Sequence, residues 1–568
     1  MSTGIHKPTE LLQHCVSLQA GTRPDAVAVV HGETKVRYGE LEVASNRLAH
    51  MLIDAGCGRG DRVALLTPKT PTAVIAMLAT LKADAIYVPL DAASPPARLA
   101  KMLEASDCRV VLAASAARRT LEETLSLATL ESAPVIGWLD HDAPVNDIAR
   151  TAFSMRDATT YPAGAPRTAN RETDIAHILF TSGSTGVPKG VMIAHRNVTA
   201  FLRWARGYFG LDSTDRMSQH PPLHFDLSTF DIFGTLWSGA ELHLVPAEIN
   251  LLPHKLAQFI RDSRLTQWFS VPSALNFMAR FDVVRENDFP LLRRVLWCGE
   301  AIPTPTLAYW MQRLPHVRFT NLYGPTEATI ASSYCTVKEC PTDAQQAIPI
   351  GTPCDGEELL VLDEQLRPVA TGAIGDLYIR GAGLSPGYWR DAEKTANAFV
   401  TYSGEGNAQD RIYRTGDLAR RTADGLFHFL GRADTQIKSR GYRIELAEIE
   451  SALACIPDIG ESAVVAIPSD GFEGSLICCA YATAPQSDVS TARLREGLCA
   501  RLPSYMIPAR WMRCDALPKN GNGKIDRPRL KNDFMRAELR SGAGTEHSTG
   551  HYTSDASPPH LGNVAAGA

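Results

Sequence analysis

A loop rich in glycine and hydroxyl residues is the first feature of this sequence that could do chemistry. The segment LFTSGSTGVPKG runs from Leu179 to Gly190 and ends on a lysine and a glycine. Glycines let backbone N–H groups approach an anion, hydroxyls add donors, and lysine supplies a point charge. The loop suits the β- and γ-phosphates of ATP, although the GK[ST] ending of a Walker A loop is absent. Taken alone, it is also compatible with a flexible Gly/Ser loop. The candidate phosphate-binding residues are Thr181, Ser182, Gly183, Ser184, Thr185 and Lys189.

A second segment, NLYGPTEATI, combines an aromatic ring with a carboxylate. Tyr323 offers a face on which a purine can stack. Glu327 offers a hard oxygen ligand for Mg²⁺, which proteins bind through one or two carboxylates plus substrate phosphates. By itself YGPTE is equally typical of a proline turn with a solvated Glu, so its interpretation depends on the segments around it.

Eight segments, taken in order, resemble the adenylate-forming superfamily, which holds acyl-CoA synthetases, luciferases and the adenylation domains of non-ribosomal peptide synthetases. The resemblance covers roughly residues 10–530. One departure is Ala83-Asp84-Ala85, where the family usually has a Gly pair, and it lies away from the expected chemistry. The segments are LKADAIYVPLD, LFTSGSTGVPKG, FDLSTFDIF, NLYGPTEATI, GDLYIRGAGLSPGYW, YRTGDLARR, GRADTQIKSRGYRIELAEIE and NGNGKIDR.

The resemblance implies an ATP-dependent enzyme that forms an acyl adenylate and passes the acyl group to a thiol. Lys524 would be the catalytic ammonium, bridging the substrate carboxylate and the α-phosphate as charge develops. Thr326 would contact the α-phosphate, and Asp417 would accept the ribose hydroxyls. Asp434 would be the hinge about which a C-terminal domain rotates between the half-reactions.

The remaining roles implied by the resemblance concern nucleotide and thiol. Lys438 and Gly441 would line the tunnel through which the thiol arrives, and Arg432 would reach ribose or phosphate. The residues expected around adenine are Gly299, Glu300, Ala301, Asn321, Tyr323 and Gly324.

Asp226, in FDLSTF, indicates an amino acid as the substrate. Amino-acid-activating members of the superfamily hold the α-ammonium with an Asp here, whereas acyl- and aryl-activating members generally lack it. A buried carboxylate needs a cation to offset its desolvation, and an ammonium supplies one. An Asp that caps the following helix is the alternative.

The other predicted pocket residues carry no charge, so a small or medium neutral side chain is expected, such as that of proline, cysteine, serine or alanine. Phe230 is expected to limit the depth of the pocket. The predicted substrate-binding residues are Asp226, Leu227, Phe230, Ser270, Leu296, Cys298, Leu322, Ile330 and Ala331.

The acceptor is expected to be the phosphopantetheine thiol of a carrier protein in trans, because the chain contains no Gly-Gly-Asp/His-Ser carrier site and no HHxxxDG. Such an enzyme would serve non-ribosomal peptide or antibiotic biosynthesis. An acyl- or aryl-CoA ligase is the runner-up, with the same first half-reaction. A non-catalytic nucleotide-binding protein is the second alternative, disfavoured by intact Lys189, Glu327, Asp417 and Lys524.

Composition excludes several classes of partner. The net charge of −5 favours neither nucleic acid nor an anionic membrane. No signal peptide or membrane span is predicted, and twelve cysteines without a CxxC pair suit a reducing, cytoplasmic setting. ATP and Mg²⁺ are the expected cofactors.

The elements that position these motifs alternate between strand-like and helix-like patterns, which favours an α/β fold with parallel sheets. The predicted large N-terminal adenylation core, 1–432, has α/β subdomains with parallel-rich sheets plus a β-barrel-like part. A hinge at 433–434 precedes a small, mobile α+β C-terminal lid domain over 435–535.

Residues 536–568 are rich in Gly, Ala, Ser and Pro and are predicted to be disordered, since they bury too little apolar surface to offset chain entropy. Deleting residues 541–568 should therefore leave adenylation and thermal stability unchanged. The measurement is the melting temperature beside pyrophosphate exchange. A fall of more than about 3 °C, roughly 1 kcal/mol or more for a chain of this size, would contradict the prediction.

Overall fold

Three sheets with flanking helices form the larger part of the fold, and two small sheets form the rest. The computed structural model describes residues 11–140, 151–183, 186–404, 409–469, 474–484, 487, 489–520 and 524–542. Mixed α/β architecture with parallel-rich sheets, a large N-terminal domain and a small C-terminal domain confirms the predicted fold class.

The strands of the larger part precede residue 433. They are β1 Val27–His31, β2 Thr34–Arg37, β3 Arg62–Leu66, β4 Ile86–Pro89, β5 Val110–Ala113, β6 Val135–Trp138, β7 Thr151–Ser154, β8 Ile175–Thr181, β9 Lys189–Ala194, β10 Arg216–Gln219, β11 Glu241–Leu244, β12 Gln267–Ser270, β13 Arg294–Cys298, β14 Arg318–Tyr323, β15 Ser333–Val337, β16 Thr352–Pro353, β17 Glu357–Leu362, β18 Ile374–Gly381, β19 Gly387–Tyr388, β20 Phe399–Ser403, β21 Gln409–Arg421 and β22 Phe427–Arg432.

The α-helices of the same part lie between these strands. They are α1 His14–Thr22, α2 Tyr38–Asp54, α3 Pro71–Lys82, α4 Pro96–Ser106, α5 Arg118–Leu127, α6 Met155–Ala158, α7 His195–Phe209, α8 Asp226–Thr229, α9 Thr235–Ser238, α10 Pro253–Asp262, α11 Pro272–Arg280, α12 Thr304–Arg313 and α13 Ala392–Ala398.

The lid, as the chain from Gln436 onward is called below, has its own elements. They are β23 Gln436–Ser439, β24 Tyr442–Glu445, α14 Leu446–Ala454, β25 Ile459–Pro468, β26 Ser475–Thr483, α15 Thr491–Cys499, β27 Arg510–Arg513 and α16 Arg527–Gly542. Because α16 ends at Gly542, residues 536–542 are helical, which corrects the start of the predicted disordered tail. Residues 543–568 lie outside the described residues.

Two large sheets place the ends of their parallel strands around one region. The first has the order β19-β9-β8-β4-β3-β5-β6-β7, and the second β16-β15-β14-β13-β12-β10-β11-β1-β2. Parallel strands that are covered on both faces are mostly apolar, as in the fully buried β5 and in β13, which is apolar after Arg294. Ligands in such folds bind beyond the carboxyl ends of the strands. Three predicted motifs begin there, after β8, β13 and β14.

The predicted β-barrel-like part is a five-stranded antiparallel sheet in the order β17-β18-β21-β20, with β22 paired to β21. Within the lid, β23 and β24 form a hairpin and β25, β26 and β27 a three-stranded sheet. The lid has its own apolar clusters, built around Ile449, Leu494 and Val465. The predicted hinge lies between β22 and β23, and its role as a hinge stays a prediction.

Candidate active site

A cavity opens where the carboxyl ends of β8, β13 and β14 face the hairpin β23–β24 of the lid. It is lined by residues of the core and by residues of the lid. The predicted site residues along its wall are Thr181, Ser182, Asp226, Leu227, Cys298, Gly299, Gly324, Thr326, Asp417, Arg432, Lys438 and Gly441.

Glu327 is a fully buried carboxylate beside this cavity, with 0% of its side chain exposed. Its oxygens accept hydrogen bonds from Nη1 of Arg443 at 2.7 and 2.9 Å and from the Tyr388 hydroxyl at 2.7 Å. Burial alone would raise the pKa of Glu327, but Arg443 and Lys189 outweigh it and lower that pKa to about 2. The carboxylate is therefore ionised and needs a cation at this position.

A second set of hydrogen bonds connects the predicted ribose-binding residue to the predicted hinge residue. The Tyr323 hydroxyl donates to Oδ2 of Asp417 at 2.5 Å, and Arg432 contacts Oδ1 of the same carboxylate at 2.5 Å. Arg432 also donates to both oxygens of Asp434, at 2.6 and 2.7 Å. The predicted ribose and hinge residues are thus connected through one guanidinium.

Asp226 faces the cavity without a cation in hydrogen-bond contact. Burial raises its pKa to about 6, a shift that Thr326, the Leu227 N–H and Lys438 only partly offset. Asp226 is the first residue of the short helix α8. A carboxylate in this position favours a ligand that brings its own positive charge.

The tip of the hairpin is set by its turn. Arg440 and Gly441 both have positive φ, +52° and +80°, which is the two-residue hairpin turn that suits glycine in the second position. The Gly441 N–H donates to Oε1 of Glu300 at 2.7 Å. A Cβ on Gly441 would approach Cγ1 of Val271 to 2.5 Å. The tip therefore enters the core only because residue 441 has no side chain.

Comparison with known proteins decides the family. Residues 16–389 match the AMP-binding enzyme family, and residues 448–524 match the AMP-binding enzyme C-terminal domain. The chain belongs to the AMP-binding enzyme family. It is an AMP-forming ligase, and ligases of this type use ATP, so the resemblance stated from the motifs is confirmed.

Curated relatives of this AMP-binding enzyme include much longer synthases. The chain is 35% identical over 543 residues to a dimodular nonribosomal peptide synthase from Bacillus subtilis, covering 93% of this chain and 22% of the relative. It is 37% identical over 513 residues to an isonitrile lipopeptide synthase from Mycobacterium tuberculosis, covering 90% and 19%. The chain spans about a fifth of the length of these relatives.

Solved structures with the same fold include smaller proteins. The Vibrio cholerae adenylation domain AlmE, in complex with glycyl-adenosine-5'-phosphate, is 26% identical with a TM-score of 0.79, covering 94% of this chain and 99% of AlmE. PA1221, which contains adenylation and PCP domains, is 26% identical with a TM-score of 0.74, covering 92% and 84%.

Several predicted site residues of this AMP-binding enzyme lie away from the cavity. The backbone of Lys524 pairs with Asn520, and its side chain is exposed rather than directed into the site. Ala301 is exposed, and Asn321 donates to the Pro349 carbonyl at 2.8 Å. Ser184 and Thr185 lie outside the described residues. The lid thus brings Lys438 and Gly441 to the site and leaves Lys524 outside it.

The nine residues predicted to form the substrate pocket are mostly apolar and buried, and Asp226, Leu227 and Cys298 among them line the cavity. Ser270 is an exception to the apolar character, but its hydroxyl accepts from Nε1 of Trp268 at 2.9 Å and donates to the Val271 carbonyl. The other pocket residues share one hydrophobic cluster, and these are Leu227, Phe230, Leu296, Cys298, Leu322, Ile330 and Ala331.

Sequence reasoning missed three charged residues that hold the lid to the core. Arg443 and Glu448 lie in the quoted segment GRADTQIKSRGYRIELAEIE, and Arg98 follows LKADAIYVPLD by a few residues. Arg443 pairs with Glu327, and Glu448 pairs with Arg98. The sequence shows that these residues are charged, but charged residues in helices and strands are usually solvated. Their burial results from the contact between the lid and the core, which the sequence does not reveal.

The described residues lack two further features. That part of the chain contains no group of three or more His, Cys, Asp and Glu side chains able to hold a metal ion. It also contains no helix both long and apolar enough to cross a membrane.

Proposed function

We propose that this AMP-binding enzyme activates a small neutral amino acid as its adenylate and transfers it to the phosphopantetheine thiol of a carrier protein. The observation that carries the proposal is a single cavity lined by Asp226, Asp417 and Gly441. These residues supply a carboxylate for an ammonium, a carboxylate for ribose hydroxyls, and a point of close approach for a thiol arm. The relatives named above support both the amino acid and the carrier.

In the first half-reaction the amino-acid carboxylate attacks the α-phosphorus of ATP, and pyrophosphate leaves. Asp226 holds the ammonium and Thr326, which lines the same cavity, contacts the α-phosphate. Positioning and charge neutralisation supply the catalysis, and no protein nucleophile is needed. Lys524 acts in a second lid orientation, reached by rotation about Asp434, in which its ammonium meets the developing charge.

Glu327 fits a magnesium ion, because it is buried, ionised and close to Lys189 at the end of the phosphate loop. Mg²⁺ would neutralise phosphate charge when bound there. Since one carboxylate cannot hold the ion alone, the nucleotide phosphates would complete its ligands. Arg443 takes the same carboxylate in the lid orientation described here, so the guanidinium and the ion would alternate.

In the second half-reaction the pantetheine sulfur forms a bond to the acyl carbon. The bond from that carbon to the phosphate oxygen breaks, AMP leaves, and the thiol proton passes to solvent. The hairpin tip borders the cavity at this stage, where Gly441 leaves space that any side chain would fill.

The runner-up, an acyl- or aryl-CoA ligase, is disfavoured by Asp226. Desolvation raises the pKa of this half-buried carboxylate, and no cation of the described residues pairs with it, so an acid lacking an α-amine would leave it unpaired. Phe230, Leu296 and Leu322, which are predicted to bound the pocket, are almost wholly buried, and a pocket bounded by them would favour a short side chain.

A panel of free amino acids in pyrophosphate exchange tests the substrate. Proline, cysteine, serine, alanine or a close analogue should give the strongest exchange. Lysine, arginine, aspartate and glutamate should stay near background, because their charges would be buried unpaired, and tryptophan should be excluded by size. Asp226→Ala should lose most activity. A preference for acids without an α-amine that survives in Asp226→Ala would establish the CoA-ligase alternative instead.

The pH dependence of the amino-acid KM tests the role of Asp226 in the wild type. Binding an ammonium requires the ionised carboxylate, and its pKa is about 6 without a ligand. KM should therefore be flat above pH 6 and rise as pH falls below it, approaching about tenfold per pH unit. Asp226→Asn should have a high KM without this rise. A wild-type KM that is constant from pH 5 to pH 8 would show that another group binds the substrate.

Two lid variants should separate the half-reactions. Lys524→Ala should reduce pyrophosphate exchange by about 10²–10³-fold, since it removes a transition-state contact. Gly441→Leu should leave exchange near the wild-type rate and abolish thiol loading, because the added side chain meets Val271 at the mouth of the cavity.

Each variant has a matched control on the lid. Lys519→Ala removes another lysine near the same loop, where it pairs with Glu461 at 2.6 Å. Gly474→Leu adds a side chain at a similar positive φ, +67°, with nothing within 4 Å of its Cβ. Both controls should retain both half-reactions. Exchange that survives in Lys524→Ala would refute its catalytic assignment.

A further inference from the structure

One buried carboxylate of the lid contacts both helix α4 and the loop that follows β8. One carboxylate oxygen of Glu448, on helix α14, pairs with Arg98 of helix α4, and only 1% and 5% of these side chains are exposed. The other oxygen, Oε2, accepts a hydrogen bond from the Gly183 N–H at 3.3 Å. Glu448 therefore bridges two separate segments of the core.

The position of the carboxylate distinguishes this contact from an ordinary anchoring ion pair. Gly183 lies in the loop whose backbone N–H groups are predicted to bind phosphate. The Glu448 carboxylate of the lid therefore occupies an N–H donor that is expected to bind a phosphate of the substrate. The next contact along the loop is also to the lid, because the Ser182 hydroxyl donates to the Arg443 carbonyl at 2.6 Å.

In this lid orientation the charge of Glu448 is compensated by Arg98 and by the Gly183 N–H. A buried carboxylate is stabilised by an Arg and a backbone donor, and removing either partner leaves part of its charge unpaired. If the lid turns away, Arg98 and Gly183 lose the anion that satisfies them. A phosphate group would restore it at the same donor.

We propose that Glu448 and Arg98 are positioning residues for thiol transfer, with Glu448 replacing a phosphate of the departed pyrophosphate at Gly183. The lid orientation described here and bound pyrophosphate then exclude each other. Product release would itself create the site into which the lid docks. The inference rests on the proposed function, and it adds a reason why transfer follows pyrophosphate release.

Variants of the pair should affect one half-reaction only. Arg98→Met and Glu448→Gln should each lower single-turnover transfer from enzyme-bound aminoacyl adenylate to a carrier thiol by tenfold or more. Pyrophosphate exchange should stay within twofold of wild type, because neither residue is needed to form the adenylate. In the double variant the two losses should not multiply, since both remove the same contact.

The control is Arg527→Met, which breaks a pair of similar kind within the lid, to Glu450 on the same helix α14 at 2.9 Å. It should leave the ratio of the two half-reactions unchanged, and Arg98→Lys should recover part of the transfer rate. Losses that are equal in both half-reactions, or a transfer rate unaffected in both variants, would overturn the positioning role. Absence of exchange in the wild type with every amino acid would instead overturn the proposed function, and this inference with it.

Competition with pyrophosphate tests the replacement directly. The probe is a vinylsulfonamide analogue of the adenylate of the best amino acid in the panel. The carrier sulfur adds to its alkene and the thiol proton passes to the neighbouring carbon, so pyrophosphate cannot reverse the reaction. Magnesium pyrophosphate should slow trapping on the wild-type enzyme in a concentration-dependent manner. In Glu448→Gln, trapping should already be slow without pyrophosphate, and added magnesium pyrophosphate should slow it less than in the wild type. Trapping that magnesium pyrophosphate does not slow in the wild type would overturn the exclusion.

Discussion

The need of one buried carboxylate for a cation is the constraint on which the site depends. Glu327 is wholly enclosed and ionised, so it cannot be left without a positive partner. Two partners are available to such a group, a guanidinium from the lid or a divalent ion that arrives with the nucleotide. The first is present here as Arg443. The proposed exchange of these partners would couple chemistry at the carboxylate to the orientation of the lid through charge balance.

The core supports this coupling by fixing everything except the lid. The strand ends at Thr181, Cys298 and Tyr323 belong to strands that are largely buried within the two large sheets, so the loops after them begin from rigid points. The hairpin, by contrast, meets the core through a glycine tip and a few polar contacts. A rigid core and a hairpin that can separate from it would allow two half-reactions to use the same cavity.

The sequence predicted the fold class and the family, and twelve of the predicted site residues line the cavity, because periodicity and ordered motifs are local properties of the chain. It did not predict which lid residues would meet the core, since that depends on a rigid-body orientation. Lys524 is exposed for this reason, whereas Gly441 is at the cavity. Asp84, at the position where the family usually has glycine, has a positive φ of +58° and its carboxylate accepts from the Asn170 N–H. An Asp can adopt this left-handed conformation because its short polar side chain can hydrogen-bond locally.

The enclosure of the contacts between lid and core has a consequence for how solution conditions act on this enzyme. Dissolved salt screens exposed pairs such as Arg390 and Asp107, but it screens Arg443–Glu327 and Arg98–Glu448 far less. Total ionic strength should therefore have little influence on the docked lid. Ions small enough to enter the cavity act differently, because they can replace a partner in a pair. The enzyme would respond to which ion is present rather than to how much salt there is.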